Sequence, residues 1–270
     1  MIHFEKYHGT GNDFIIFDQK SLKGLKTINP TDLARKVCDR HFGIGADGMM
    51  IVKPSKQADV KMEFYNADGS LAPMCGNGIR CFAKYVYDHK LVDHTIFNVE
   101  TLAGIMKVTL TNKGDHETLV TIDMGSPNFE SAFGDKTIEV YGQTFHLSTL
   151  TMGTLHAVIQ VESIDDIDIS LYGKALESHS LFPHKINVNF LEVVDREHIK
   201  VSTFERGVGM TLSCGTGSAA SAVVSALKGL TENRVQVKVP GGILCIDIKD
   251  EGVLMTGPAT LICSGSYNYK

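Results

Sequence analysis

The sequence has no surplus of positive charge, no long apolar run and no paired-cysteine metal motif, and each absence removes a class of function. Lysine and arginine number 26 against 31 aspartates and glutamates, a net charge of −5, so the basic footprint of a nucleic-acid partner is missing. No segment approaches the roughly 18 consecutive apolar residues of a membrane-spanning helix. The opening Met1-Ile2-His3-Phe4-Glu5-Lys6 holds no apolar stretch long enough for a signal peptide, and a cytoplasmic location is expected. The six cysteines are Cys38, Cys75, Cys81, Cys214, Cys245 and Cys263. None forms C-x-x-C or stands at zinc-site spacing from histidines, so no metal is expected and free thiols are. No lysine lies in a recognisable pyridoxal phosphate context, and no cofactor is expected.

What is present is an internal duplication. A shift of 139 positions (214 − 75) brings two stretches into register. One runs Val60-Lys61-Met62-Glu63-Phe64-Tyr65-Asn66, a loop, then Cys75-Gly76-Asn77-Gly78. The other runs Ile199-Lys200-Val201-Ser202-Thr203-Phe204-Glu205, a loop of equal length, then Cys214-Gly215-Thr216-Gly217. Both continue into an apolar, helix-length segment and then a strand with a glycine turn. A weaker echo pairs Gly9-Thr10-Gly11-Asn12 with Gly153-Thr154-Leu155-His156.

Two similar α+β lobes are therefore expected, 1–117 and 118–263. The boundary is placed in the polar stretch 111–117. Strands are predicted at 14–17, 49–52, 118–124, 157–161 and 188–194, and helices near 32–40, 78–89 and 217–227. The last helix carries no charge on any side and should be enclosed by its sheet. Gly43-Ile44-Gly45-Ala46-Asp47-Gly48 matches the dinucleotide pattern G-x-G-x-x-G, but a helix precedes it and a strand follows. That is the reverse of the order a dinucleotide site needs, so it is read as a turn.

Each duplicated cysteine stands where a glycine-rich turn opens a helix. Free N–H groups and the helix dipole can lower a thiol there from about 8.5 to between roughly 3.5 and 7.5. The same N–H groups suit a carboxylate. Two such ends facing across a cleft would set one sulfur on each side of a bound α-carbon. Thiolate and thiol would then serve as base and acid for inversion, with the N–H groups of Gly76, Asn77, Gly215 and Thr216 stabilising the charge that develops. An isolated Cys-Gly would more simply be a small buried hydrophobe. Cys38, Cys81, Cys245 and Cys263 are read that way.

At these residues the sequence resembles the diaminopimelate epimerase family. The likeness runs over His8-Gly9-Thr10-Gly11-Asn12-Asp13-Phe14, the turn at 43–48, Asn66-Ala67-Asp68-Gly69-Ser70 and Met74-Cys75-Gly76-Asn77-Gly78-Ile79-Arg80-Cys81. It continues with Phe182-Pro183, Asn187, Glu205-Arg206-Gly207 and Cys214-Gly215-Thr216-Gly217. The resemblance implies two pseudo-symmetric lobes, each a mostly antiparallel sheet wrapped around a central helix, with 264–270 returning to join 1–117. It implies Cys75 and Cys214 as the acid/base pair, His156 and Glu205 as thiol-tuning groups, and an amino-acid substrate. Asn12, Asn66, Thr154, Asn187, Glu205 and Arg206 would bind the rest of that substrate, and a homodimer is the oligomer considered.

The chain departs from the family where Met152-Gly153-Thr154-Leu155-His156 replaces Met-Gly-Asn-Pro-His. The histidine is kept, but the amide becomes a shorter hydroxyl. Epimerisation of LL- to meso-diaminopimelate is the leading expectation, and a racemase of another amino acid on the same fold, such as histidine, is the alternative. A non-catalytic thiol redox or metal-binding protein is the third.

Overall fold

Glycine turns and short apolar runs divide the chain into strands that a few helices cover. The structure is a computed structural model that describes residues 1–22, 28–112, 118–130 and 132–269. The architecture is α+β and dominated by strands. Two compact units are formed, Met1–Ile122 with Gly257–Lys270, and Asp123–Thr256. Residues 113–117, most of the stretch expected to hold the boundary, lie outside the described residues.

In the first unit β1 (Ile2–Gly9) and β2 (Asn12–Asp18) form an antiparallel hairpin. Its two turn residues, Thr10 and Gly11, have φ of 52° and 86°, the left-handed pair that a two-residue hairpin favours. Such a φ is costly for β-branched Thr10. Its hydroxyl is held by Arg80 Nη2 at 3.2 Å. After α1 (Gln19–Leu22), Asn29 caps α2 (Pro30–Cys38) by accepting from Thr31 N–H at 3.0 Å, with Pro30 at the first helical position. The chain continues through β3 (Gly48–Lys53), β4 (Val60–Asn66), β5 (Leu71–Ala72), α3 (Gly76–Asp88), β6 (Ile96–Thr101), β7 (Gly104–Asn112) and β8 (Thr118–Asp123). Leu33, Ala34 and Val37 of α2 pack with Phe17 and Ile51, as their spacing predicted.

The second unit runs through β9 (Lys136–Val140), β10 (Gln143–Met152), β11 (Thr154–Val161), α4 (Ile169–Glu177), β12 (Asn187–Val193), β13 (His198–Glu205) and β14 (Gly209–Met210). Then come α5 (Gly215–Leu227), β15 (Arg234–Val239), β16 (Gly242–Lys249) and β17 (Gly252–Pro258), after which β18 (Thr260–Tyr267) pairs antiparallel with β1 in the first unit. From β1 to β7 the successive pairings are antiparallel, parallel, antiparallel, antiparallel, parallel (β4 with β6) and antiparallel. From β10 to β16 the same senses recur in the same order. The two main helices keep the 139-residue offset at both ends, 76 to 215 and 88 to 227.

Uncharged α5 lies against β10, β11, β12, β13, β15 and β16, and its residues 217–225 are all buried. The mixed helix α3 is a different case. It packs on β1, β2 and β7 and buries a whole arginine, Arg80, at 0% exposure. Among the cysteines read as space-fillers, Cys38 and Cys81 are buried, but Cys245 is half-buried and Cys263 is exposed. Cys263 therefore does not fill the core. It lies on β18, where residues 260–264 are all exposed. No described helix is long and apolar enough to cross a membrane.

Candidate active site

Cys75 and Cys214 occupy the same place in their units, the N-cap of α3 and of α5. Both are extended, with φ and ψ of −134° and 123° for Cys75 and −115° and 109° for Cys214. The last glycine of each Cys-Gly-x-Gly is set by packing. A Cβ on Gly78 would lie 2.4 Å from Met50 Cε, and one on Gly217 would lie 2.2 Å from Asn189 Oδ1. Each helix start is thus pressed onto a strand side chain, the flexible end of Met50 at Gly78 and the hydrogen-bonded amide of Asn189 at Gly217. The sequence alone suggests close approach to a ligand; the structure shows close approach to the sheet.

Around Cys214 the sulfur accepts from the Gly217 N–H at 3.4 Å and lies 3.5 Å from Thr216 Oγ1. Those two contacts favour thiolate. Burial, joined by the negative Glu205, opposes them and pushes the Cys214 thiol well above its ordinary value. The lowering expected at a helix N-terminus is therefore outweighed, because desolvation of the buried sulfur exceeds what one N–H and one hydroxyl return. Cys214 rests as a thiol. The Glu205 carboxylate is anchored by the Thr211 hydroxyl at 2.8 Å.

His156 is fully buried, and its partners fix its tautomer. Nδ1 faces Asn189 Nδ2 at 3.1 Å, and that amide also donates to Ala157 O while its Oδ1 accepts from Thr203 Oγ1. Nδ1 therefore accepts, and Nε2–H donates to Thr154 Oγ1 at 3.0 Å. Burial, helped by the positive Arg206 and opposed by Asn189, lowers the imidazole to about 3. It is neutral at any ordinary pH. Thr154 Oγ1 also accepts from Asn187 Nδ2 at 3.1 Å, and Asn187 Oδ1 takes the backbone N–H of Arg206 at 2.9 Å. The turn just before Thr154 reaches α5, since a Cβ on Gly153 would stand 3.7 Å from Thr216 Cγ2.

In the first unit Cys75 Sγ lies 3.6 Å from Asn12 Oδ1, which also accepts from Asn77 Nδ2 at 3.3 Å. Arg80 Nη1 donates to Asn77 Oδ1 at 2.9 Å. Asn66 is exposed at the last position of β4 and donates to Ser70 Oγ at 3.0 Å.

The structure thus gathers Cys75, Asn12, Asn77 and Gly76 in one unit, and Cys214, Thr216, Gly215, Glu205, His156, Thr154, Asn187 and Arg206 in the other. Asn189, Thr203 and Arg80 belong to these networks and were missed by sequence reasoning. Asn189 stands between Val188 and Phe190 on β12, where an apolar pattern hides a single buried polar group, and Thr203 is a β-branched residue ordinary in a strand. Arg80 stands one position before Cys81 in a matched motif, and its lack of an obvious surface role was the available signal.

The profile of a family described as diaminopimelate epimerase matches residues 4–130 and 148–262. The chain belongs to the diaminopimelate epimerase family. A diaminopimelate epimerase of Caldanaerobacter subterraneus is 42% identical, covering 98% of each chain. One of Desulfitobacterium hafniense is 43% identical over 96% of each, and one of Alkaliphilus metalliredigens 43% identical over 98% of this chain and 97% of that one. Among solved structures, a phenazine biosynthesis protein of the PhzF family from Bacillus anthracis superposes with a TM-score of 0.74 at 16% identity, covering 99% of both chains. A probable proline racemase from Agrobacterium radiobacter gives 0.74 at 14% identity, covering 100% of this chain and 94% of that one. These two share the fold.

Proposed function

We propose that this member of the family interconverts LL- and meso-diaminopimelate, with Cys75 and Cys214 as the acid/base pair. One thiolate takes the α-proton, and the other thiol returns a proton to the opposite face of the carbon. The observation that carries the reading is the placement of two cysteines, 139 positions apart, as N-caps of two helices of 13 residues each. The identity of 41–43% to family members named for this activity supports the substrate.

The chemistry follows from what surrounds each sulfur. Removing a proton beside a carboxylate spreads negative charge onto that carboxylate, and the first-turn N–H groups of α3 and α5 are the donors suited to meet it. Glu205, beside the protonated Cys214, is the group suited to accept its proton when thiolate is needed. His156, held neutral, acts through Thr154 rather than by carrying charge. Asn187 and Arg206 belong to the network around His156 and Thr154, and Arg206 suits a second carboxylate. We infer two pseudo-symmetric lobes, each with its sheet wrapped around the central helix; the recurring order of strand pairing supports this. The mechanism needs no cofactor, because both proton-transfer groups are supplied by the chain.

Proton NMR in deuterium oxide tests the reading. LL-diaminopimelate is expected to lose its α-proton signal as the meso isomer accumulates. Exchange with histidine and none with diaminopimelate would transfer the reading to a racemase of that amino acid, the alternative that Thr154-Leu155 favours.

A further inference from the structure

The turn at 43–48, which looks like a dinucleotide fingerprint and is not one, carries a side chain that bears on Cys75. We propose that Asp47 is a positioning residue: it pins the Asn12 amide so that its carbonyl oxygen, and never its NH2 group, faces the Cys75 sulfur. The proposal rests on the reading that Cys75 is one of the two acid/base thiols.

An asparagine amide presents an acceptor on one side and a donor on the other, and its neighbours decide which side faces where. Asp47 Oδ2 lies 2.5 Å from Asn12 Nδ2. A carboxylate only accepts, so the NH2 group must face Asp47 and Oδ1 must face Cys75. The other end of the chain is fixed independently. Arg80 only donates, so its bond to Asn77 Oδ1 turns Asn77 Nδ2 toward Asn12 Oδ1. Hydrogen bonds thus run in one direction from Arg80 through Asn77 and Asn12 to Asp47. Asn12 Oδ1 cannot donate, so Cys75 meets it as a protonated thiol, S–H to oxygen.

Asp47 is itself held rigidly. Its Oδ2 takes the Asp13 N–H at 3.1 Å, its own N–H donates to Asp13 Oδ1 at 3.0 Å, and Arg40 Nη2 bridges both carboxylates at 2.7 and 2.8 Å. Lys6 closes the cluster at 2.8 Å from Asp13 Oδ2 and 2.6 Å from Gly45 O. The left-handed turn at Thr10-Gly11 then sets Asn12 between the cluster and the thiol. The charged groups in the hydrogen-bond network that reaches Cys75 are Lys6, Asp13, Arg40, Asp47 and Arg80.

The consequence is chemical. When Cys75 acts as base, it gains a proton, and the pinned oxygen stabilises the thiol so formed. Without the Asp47 acceptor only the 3.3 Å bond from Asn77 Nδ2 holds the amide, so its NH2 group reaches the sulfur part of the time, stabilises thiolate and makes Cys75 a weaker base. Asp47→Ala is the test: Oδ2 accepts from both the Asp13 N–H and Asn12 Nδ2, so an asparagine that kept an oxygen there would leave the Asn12 amide pinned, whereas alanine removes the acceptor.

The readout is the pH dependence of iodoacetamide alkylation at Cys75, followed by peptide mass spectrometry in the full-length protein. Asp47→Ala is expected to move the Cys75 midpoint down by about half to one pH unit, the size of one lost hydrogen bond to the neutral form. In an Asn12→Ala background the same substitution should produce no shift, because the effect travels through Asn12. A shift that persists there means Asp47 acts by its charge alone, and an unchanged midpoint in the single variant means the amide is not pinned; either overturns the proposal. If Asp47→Ala melts early, Asp47→Glu in place of it must keep the midpoint of the parent, and a downward shift there also overturns the proposal. Alkylation reads the thiol whether or not Cys75 is catalytic, so these outcomes stay separate from the two-thiol reading, which fails only if Cys75 proves dispensable for inversion.

Discussion

His156 Nε2 donates to Thr154 Oγ1 at 3.0 Å, so a buried imidazole spends its one proton on the residue by which this chain departs from the family pattern. Thr154 also takes Asn187 Nδ2, and its two lone pairs are then filled. Its own hydroxyl proton is left to donate outward, to an acceptor such as a substrate carboxylate. Thr154→Val keeps the shape and removes the acceptor, leaving a buried N–H of His156 unmatched. A stability loss of about 1–3 kcal/mol is expected, measured as a lowered urea midpoint with unchanged slope. Thr154→Ser should recover most of it.

The depressed His156 sets an acid limit. A histidine whose folded value lies below its unfolded value adds stability that is complete above the unfolded value and is lost as pH falls through the folded one. The window therefore runs from 6.5 down to about 3. Urea midpoints taken across that window should fall with pH, and His156→Gln, which cannot titrate, should flatten the part of the slope due to this ring.

An alkaline limit has the opposite sign. Burial raises Cys38 and Cys81 from 9.0 to about 12, and Tyr65 and Tyr85 from 10.0 to about 12. Protons held in the folded state are released on unfolding, so stability declines as pH rises from about 9 toward 12. Thermal melts in that range should show the fall, and Cys81→Ala should lessen it.

Much of this was legible in the sequence. The offset of 139 positions located both helix starts, both cysteines and the equivalence of β4 with β13, because a duplicated glycine turn leaves an unmistakable spacing. The uncharged face of α5 gave its burial. Other features depend on contacts distant in the chain. Nothing local shows that Arg80 is swallowed by its unit, and the family resemblance, not any local pattern, points to the return of β18 to β1. The tuning of Cys214 was also hidden: a helix N-terminus argues for a lowered thiol, and only the packed structure reveals that burial and Glu205 reverse the sign.

Gly217→Ala tests why the motif ends in glycine. Its Cβ would stand 2.2 Å from Asn189 Oδ1 and 3.2 Å from Cys214 Sγ. Overpacking of about 1–3 kcal/mol is expected, together with displacement of the Asn189–His156 pair. The melting temperature should drop and turnover should fall with it.

Cys214 is expected to respond to the charge beside it. Glu205→Gln removes the negative neighbour that helps hold the thiol protonated. Its alkylation midpoint should then move to lower pH, read by the same peptide mapping, while inversion slows because the acceptor for its proton is gone.

The most direct test is inversion by the single variants Cys75→Ser and Cys214→Ser, assayed as conversion of LL- to meso-diaminopimelate with folding checked by circular dichroism. Both should stay folded, and each should lose inversion by about a thousand-fold or more, the scale of a missing proton-transfer group. A folded variant of either kind that inverts the substrate within tenfold of the parent rate would contradict a mechanism built on two sulfurs.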